Sequence, residues 1–417
     1  MNQRLKTSAD THPDVIIIGA GVFGLWAARH AIKRGERVLV LEKRSLGAGA
    51  SGGFLGALMP HMPDNWNAKK QMQFEALASI GDAIGALEDD TGVSCGFRRC
   101  GRLMPLGHEK MLAHAHARIE GAKTNWQAKS DNYSMELIPA GLVGSIADGW
   151  LNEATAPFGA TYDTLSARVN PRAYLKALES YILGDTRQLG SIRSGCAVTS
   201  VLPGQTAEEA TQVQLEDGES LSCGRVVIAN GWEAYDLLSS MKARVNTQLV
   251  TGRGVKGQAV LMAIDHDDNR PIIYDNGSYI VPQADNKIAV GSTSIKDWLP
   301  HGLSFDRTDG ATEGVEGQVE ADALWVQKRI EASITSFDHD DTNYLEHAMA
   351  LCPPLQSAQI VERWANVRPR NTIADLQTGK IGSEPVFSAL DNTPTVQLAV
   401  GGFKISLALA HVDRFPD

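Results

Sequence analysis

At 417 residues the chain is long enough for about two domains with sizeable cores. A hydrophobic fraction of 43% and a charged fraction of 21% exclude a disordered or fibrous chain. A net charge of −10, from 39 basic and 49 acidic side chains, argues against nucleic acid or an anionic membrane surface as the main partner, since both would repel it.

Residues 1–13 read as a flexible polar lead without the apolar run of a secretory signal, and no stretch is apolar for long enough to span a bilayer. Cys95, Cys100, Cys196, Cys223 and Cys352 are widely spaced and form no C-x-x-C, as expected of reduced thiols in a cytoplasmic protein.

The first structured stretch is the most informative. Val15-Ile16-Ile17-Ile18 runs into Gly19-Ala20-Gly21-Val22-Phe23-Gly24, and an apolar helix follows, ended by Gly35. A second strand, Arg37 to Leu41, ends on Glu42. Gly19 permits the sharp turn, Gly21 lets the backbone approach a diphosphate, and Gly24 lets the helix pack on the sheet. The helix start offers free amides and a positive dipole end to phosphate. Glu42 lies about twenty residues past the turn, where a carboxylate can accept both ribose hydroxyls of an adenosine. The whole reads as a dinucleotide-binding βαβ unit.

The run from Gly47 to His61 is rich in small residues and fits a loop that presses its backbone on a ligand. Helical spacing predicts a helix from Asn67 to Asp89, then a short strand over Phe97–Pro105 and a helix over Glu109–Lys123. His108, His114 and His116 fall there without a Cys or carboxylate cluster, so solvated histidines are favoured over a metal site. Asn170-Pro171-Arg172 opens another helix, and strands follow around Ala197–Val201 and Gln212–Leu215, with Asp217-Gly218 as a hairpin turn. The strand Arg225–Ala229 runs into Asn230-Gly231-Trp232, a second small-residue turn at a strand's carboxyl end. Strands at Val255–Ala263, Ile272–Tyr274, Ser278–Val281 and Lys287–Val290 suggest a more antiparallel sheet. The acidic stretch 306–341 holds a helix near Val319–Ile334 and reads as a solvated face. The segment Ile360 to Asn371 contains Val367-Arg368-Pro369. After Asp375 and Ile381-Gly382, a strand at Val396–Val400 runs into Gly401-Gly402-Phe403-Lys404-Ile405, repeating the opening strand–glycine–helix pattern.

Four separated stretches together resemble the FAD-dependent D-amino-acid oxidase superfamily of glycine oxidase-like and sarcosine oxidase-like enzymes. They are the N-terminal fingerprint, Ala50-Ser51-Gly52-Gly53, Val226 to Trp232, and Val367-Arg368-Pro369 with Gly401 to Lys404. The resemblance implies an α/β fold: a discontinuous Rossmann-type FAD-binding domain (14–95, 155–240 and 360–417) and an inserted mixed antiparallel-sheet substrate domain (96–154 and 241–359). It implies non-covalent FAD, with Gly19, Gly21, Gly24 and Glu42 at the adenosine end and Ser51 at the pyrophosphate. Val198 would pair its backbone with adenine, and Gly402, Phe403, Lys404 and Ile405 would lie at the pyrimidine edge of the flavin. Val22, Phe23, Lys43, Ala50, Gly52, Ala229, Gly231 and Arg368 complete the expected cofactor set. Ser406 stands where relatives usually carry glycine.

The expected chemistry is hydride transfer from a Cα–H next to nitrogen to flavin N5, imine hydrolysis, and reoxidation by dioxygen giving hydrogen peroxide. The substrate would be a small amine or amino acid. Arg368 would grip its carboxylate, because a planar fork suits that group. Lys404 and the amides around it would stabilise charge on the reduced flavin. Tyr279 and Tyr274 would lie on strands of the sheet that roofs the flavin, where a phenol either hydrogen-bonds the substrate or fills the core, and Lys256 is open in the same way. Alternatives are a dehydrogenase passing electrons to a quinone or carrier protein, a flavin-binding module without turnover, and an NAD-dependent dehydrogenase.

Overall fold

The computed structural model describes residues 9, 12–127, 129–204, 206, 209–295, 332–336, 341–372 and 385–401. Two large sheets carry the fold. The first has six strands in the order Ala389–Leu390, Thr393–Leu398, Arg225–Ile228, Val15–Ile18, Val38–Glu42, Gly190–Ser194. Neighbours pair in parallel except at the edge hairpin of Ala389–Leu390 with Thr393–Leu398. The opening strand is interior and all four of its residues are buried. A parallel strand covered on both faces needs such an unbroken apolar run, and each fully buried side chain contributes about 1.5–3 kcal/mol.

Side chains alternate between two cores. Val15, Ile17, Val38 and Val40 pack against the helices Val22–Lys33, Ala68–Thr91 and Pro171–Gly184. Ile16, Ile18, Leu39 and Leu41 pack against the helix Ala234–Ser240 and the three-stranded antiparallel sheet Val198–Leu202, Thr211–Leu215, Ser220–Cys223. Capping sets the helix ends: Asn67 accepts from the Lys70 amide, Asn170 from the Ala173 amide, and Gly92 closes its helix at φ 68°.

The second sheet has eight strands in the order Gln359–Asn371, Gly252–Ala263, Lys287–Gly291, Ser278–Gln283, Ile272–Asp275, Arg102–Pro105, Ala160–Asp163, Met135–Ile138. Only the pair Ile272–Asp275 with Arg102–Pro105 is parallel. One face carries Ala259, Val281, Ala289, Tyr279 and Trp364 and meets Phe54 and Met59 of the small-residue loop. The other packs Val260, Met262, Ile280 and Val290 under the helices Ala140–Ala147 and Asp341–Leu351. No helix among the described residues is long and apolar enough to cross a membrane.

Several expectations need correction. The strands Ala160–Asp163 and Gln359–Asn371 fall in segments expected to serve the dinucleotide domain, yet both hydrogen-bond into the eight-stranded sheet. Backbone pairing, not sequence order, decides which body a segment joins. The expected strand over Phe97–Pro105 begins only at Arg102, because Gly101 turns the chain at φ 74°. Sequence reading gave no strand at Gly190–Ser194, Met135–Ile138 or Ala160–Asp163: these are short and lack clear alternation. The expected helix over 319–334 lies almost entirely outside the described residues, as do Asp375, Ile381, Gly382 and nearly all of the N-terminal lead.

Candidate active site

From Val15–Ile18 the chain winds to one side through Val38–Glu42 and returns on the other as Arg225–Ile228. That reversal opens a crevice at the strand carboxyl ends, the usual ligand position in such sheets. Gly19 turns there at φ 104°, and a Cβ on it would lie 2.7 Å from Asn230 Cα. A Cβ on Gly24 would overlap the Gly19 carbonyl oxygen, so glycine here sets helix-to-strand contact. Ala229 donates its amide to Ile18 O at 2.9 Å, and Gly231 turns at φ 67°. The two small-residue turns expected from sequence are therefore side by side.

Glu42 ends its strand facing this crevice. Its carboxylate accepts the Ala20 amide on Oε2 and the Arg44 amide on Oε1, both at 2.9 Å, which fixes its orientation. Lys43 and Arg44 pair with Glu233 at 3.2 and 3.0 Å. Ser51, in the turn Ala50–Gly52, accepts the Val22 amide at 3.1 Å, and its Oγ would lie 3.2 Å from a Cβ on Gly21. Ser51 thus sits on the helix start, where phosphate oxygens are held. Phe23 stacks on Phe387 at 5.7 Å. Val198 opens the strand after Gly190–Ser194, close to the contact between the Cys196 amide and Glu42 O at 2.9 Å. Asn230 Oδ1 is buried without a partner among the described residues. Glycine cradle, strand-end carboxylate, serine at the helix start and orphaned acceptor all fit an adenine dinucleotide such as FAD.

Arg368 lies on the roofing sheet, on the strand Gln359–Asn371 opposite Val255. It donates to Ser292 Oγ at 3.2 Å and to Thr293 O at 2.7 Å. Its Nε is buried with no partner, and among the described residues no carboxylate pairs with it. Gly257 makes the space: a Cβ there would lie 2.8 Å from the Arg368 Nη2. Burial pulls the guanidinium below its ordinary value, with nearby Tyr279 opposing, but an arginine stays charged. Tyr279 lies three strands further along the sheet, its ring 4.9 Å from that of Tyr274. Burial pushes its phenol up and Tyr274 adds to the rise, while Arg368 and Arg102 oppose it. Tyr279 is thus a neutral donor at physiological pH beside an uncompensated cation.

Arg368, Tyr279 and Tyr274 are brought together. Lys256 is not among them: it is buried, bonds Ser336 at 2.8 Å and neighbours Val367 rather than Arg368. Gly402, Phe403, Lys404 and Ile405 lie outside the described residues. Gly401, just before them, turns at φ 82°, and a Cβ on it would overlap the Asn371 amide, which accepts the Tyr235 hydroxyl at 2.8 Å. Sequence reading gave no role to Gly257, Ser292 and Thr293. Only strand register places them at Arg368.

A family model described as DAO, FAD dependent oxidoreductase, matches residues 14–411. The glycine oxidase of Geobacillus kaustophilus (strain HTA426) is 26% identical over 369 residues, covering 86% of this chain and 81% of that protein. The glycine oxidase of Pseudomonas putida (strain KT2440) is 24% identical over 362 residues, covering 85% and 82%. Among solved structures, glycine oxidase from Geobacillus kaustophilus aligns with a TM-score of 0.73 at 20% identity, covering 98% of this chain and 96% of that one. The L-amino acid deaminase from Proteus vulgaris aligns at 0.73 and 15% identity, covering 99% and 94%. The match of the family model over nearly the whole length, joined to a crevice built for an adenine dinucleotide, places this chain in the DAO family of FAD-dependent oxidoreductases.

Proposed function

We propose that the chain oxidises the CH–N bond of a small amino acid or secondary amine that carries a carboxylate. The observation that supports this most is Arg368: a guanidinium with a buried, unpartnered Nε and no carboxylate near it among the described residues. A buried donor left unpaired is costly, and a substrate carboxylate would satisfy it through a charge-assisted fork. Tyr279 donates a second hydrogen bond to that carboxylate, since burial keeps its phenol protonated. Bound FAD supplies a hydride acceptor at N5 and a route for the electrons to dioxygen. The residues of the chain bind and orient: Arg368 and Tyr279 fix the carboxylate end, which aims the Cα–H, and the surrounding apolar side chains Phe54, Met59, Ala259 and Val281 exclude water. The relatives named glycine oxidase favour a small amino acid.

Adenosine-end binding is assigned to Gly19, Gly21, Gly24, Glu42 and Val198, and pyrophosphate binding to Ser51. The FAD-loaded protein, mixed anaerobically with glycine, sarcosine and small D-amino acids, is expected to bleach with at least one of them. On admitting air it is expected to consume oxygen and release hydrogen peroxide. Bleaching without oxygen uptake would select the dehydrogenase reading, and no bleaching with any carboxylate-bearing amine would reject the proposal.

A further inference from the structure

The strand that carries Arg368 is fastened to the small-residue loop at three successive same-face positions. Residues 362, 364, 366 and 368 alternate onto one face of the sheet, as the two-residue strand period requires. Glu362 pairs with Arg172 at 2.9 and 3.0 Å, and Arg172 Nε donates to Gly52 O at 2.8 Å. Trp364 covers Gly53 so closely that a Cβ there would lie 3.2 Å from the indole. Asn366 is buried and donates from Nδ2 to Ala48 O at 2.8 Å. Its Oδ1 accepts the Val367 amide at 2.8 Å, which holds the amide with its donor end toward the loop. The next same-face residue is Arg368. The same loop carries Ser51, whose hydroxyl caps the amide at the helix start.

We propose that Asn366 is a positioning residue that couples the phosphate loop to Arg368, so that filling either the FAD site or the carboxylate site tightens the other. This rests on the reading of Arg368 as the carboxylate grip and of Ser51 as a phosphate contact. The two hydrogen bonds Asn366 makes are both to the protein itself, from Nδ2 to Ala48 O and from the Val367 amide to Oδ1. It acts by holding the loop and the strand in one register. If the loop shifts when phosphate leaves, the strand loses its tether one side chain before Arg368. Coupling between two sites is reciprocal, so a carboxylate on Arg368 must tighten FAD by the factor by which FAD tightens the carboxylate.

The test follows flavin release from the FAD-loaded protein on dilution, read as recovery of flavin fluorescence, with and without saturating acetate. Wild type is expected to hold FAD at least threefold more tightly with acetate. Asn366→Ala, which deletes the donor, and Asn366→Asp, which sets a carboxylate against the Ala48 carbonyl, are expected to bring that ratio to about one, as loss of one hydrogen bond permits. A merely structural asparagine would weaken FAD equally with and without acetate and leave the ratio intact. An unchanged ratio in both Asn366 variants, or none in wild type, overturns the proposal. If Arg368→Ala keeps the acetate effect, the reading of Arg368 itself falls. If Arg368→Ala loses it while the Asn366 variants keep it, only the coupling role is lost.

Discussion

At the residue scale the proposed substrate grip depends on an arginine held by weak neutral partners. Ser292 and Thr293 orient the guanidinium but leave its charge uncompensated. Arg368→Ala is expected to raise KM for carboxylate-bearing substrates at least tenfold, because a charge-assisted pair contributes about 1.5–3 kcal/mol. Steady-state kinetics checks this, and an unchanged KM removes Arg368 from the site. Arg368→Lys is expected to behave nearly as badly, since a single ammonium cannot keep both tethers and present a fork. Gly257→Ala should act through Arg368: its methyl would sit 2.8 Å from Nη2 and push the guanidinium aside. KM should rise with little change in the thermal unfolding midpoint, because the far end of the arginine can move. A fall in midpoint with KM intact would instead make Gly257 a purely structural position.

At the scale of elements, strand pairing decides what the sequence left open. The strand Gln359–Asn371 was visible only as a segment with a notable Arg-Pro. Its first half is an exposed edge and its second half is buried, so no single alternation runs through it. The antiparallel strand Gly252–Ala263 supplies the pairing that makes it a strand. A second tie lies across the sheet, where Arg102 Nε meets Asp163 Oδ2 at 2.7 Å, with side chains 1% and 0% exposed. Asp163 Oδ1 also accepts the Ser166 amide at 2.8 Å. Breaking such a pair from one side strands a buried charge, at about 3–5 kcal/mol. Asp163→Leu is expected to lower denaturant stability by that amount, and the double change Arg102→Leu, Asp163→Leu to recover much of it. Equal losses in the single and double variants would show that packing, not charge, dominates there.

At the scale of the whole molecule, burial puts four of the five thiols into a common state. Cys95, Cys223 and Cys352 are pushed up to about 12 and Cys100 to about 11, chiefly by burial. A group whose folded value lies above its unfolded value of 9.0 contributes stability that is present below that value. The contribution is lost as pH rises from about 9 toward about 12, because the unfolded chain ionises first. Denaturant unfolding free energy should therefore fall above pH 9, and a flat profile would contradict the burial of these thiols. In the native protein Cys196, half-buried, should react first with a thiol reagent, and the four buried cysteines only on unfolding.

The sequence by itself determined what is written locally. The strand–turn–helix–strand unit from Val15 to Glu42 is built from neighbours in the chain, with glycines wherever the backbone turns at positive φ or must be touched, and so could be read outright. The same holds for the helices capped by Asn67 and Asn170. Only the tertiary structure decided that Asp217-Gly218 leads into a separate small sheet, that Gly190–Ser194 extends the parallel one, and that the strand of Arg368 belongs to the roof. It alone set Gly257, Ser292 and Thr293 around Arg368. These residues are far apart in the chain. Strand pairing is a contact between distant segments whose register no single stretch encodes, so the site exists only once the sheet has closed.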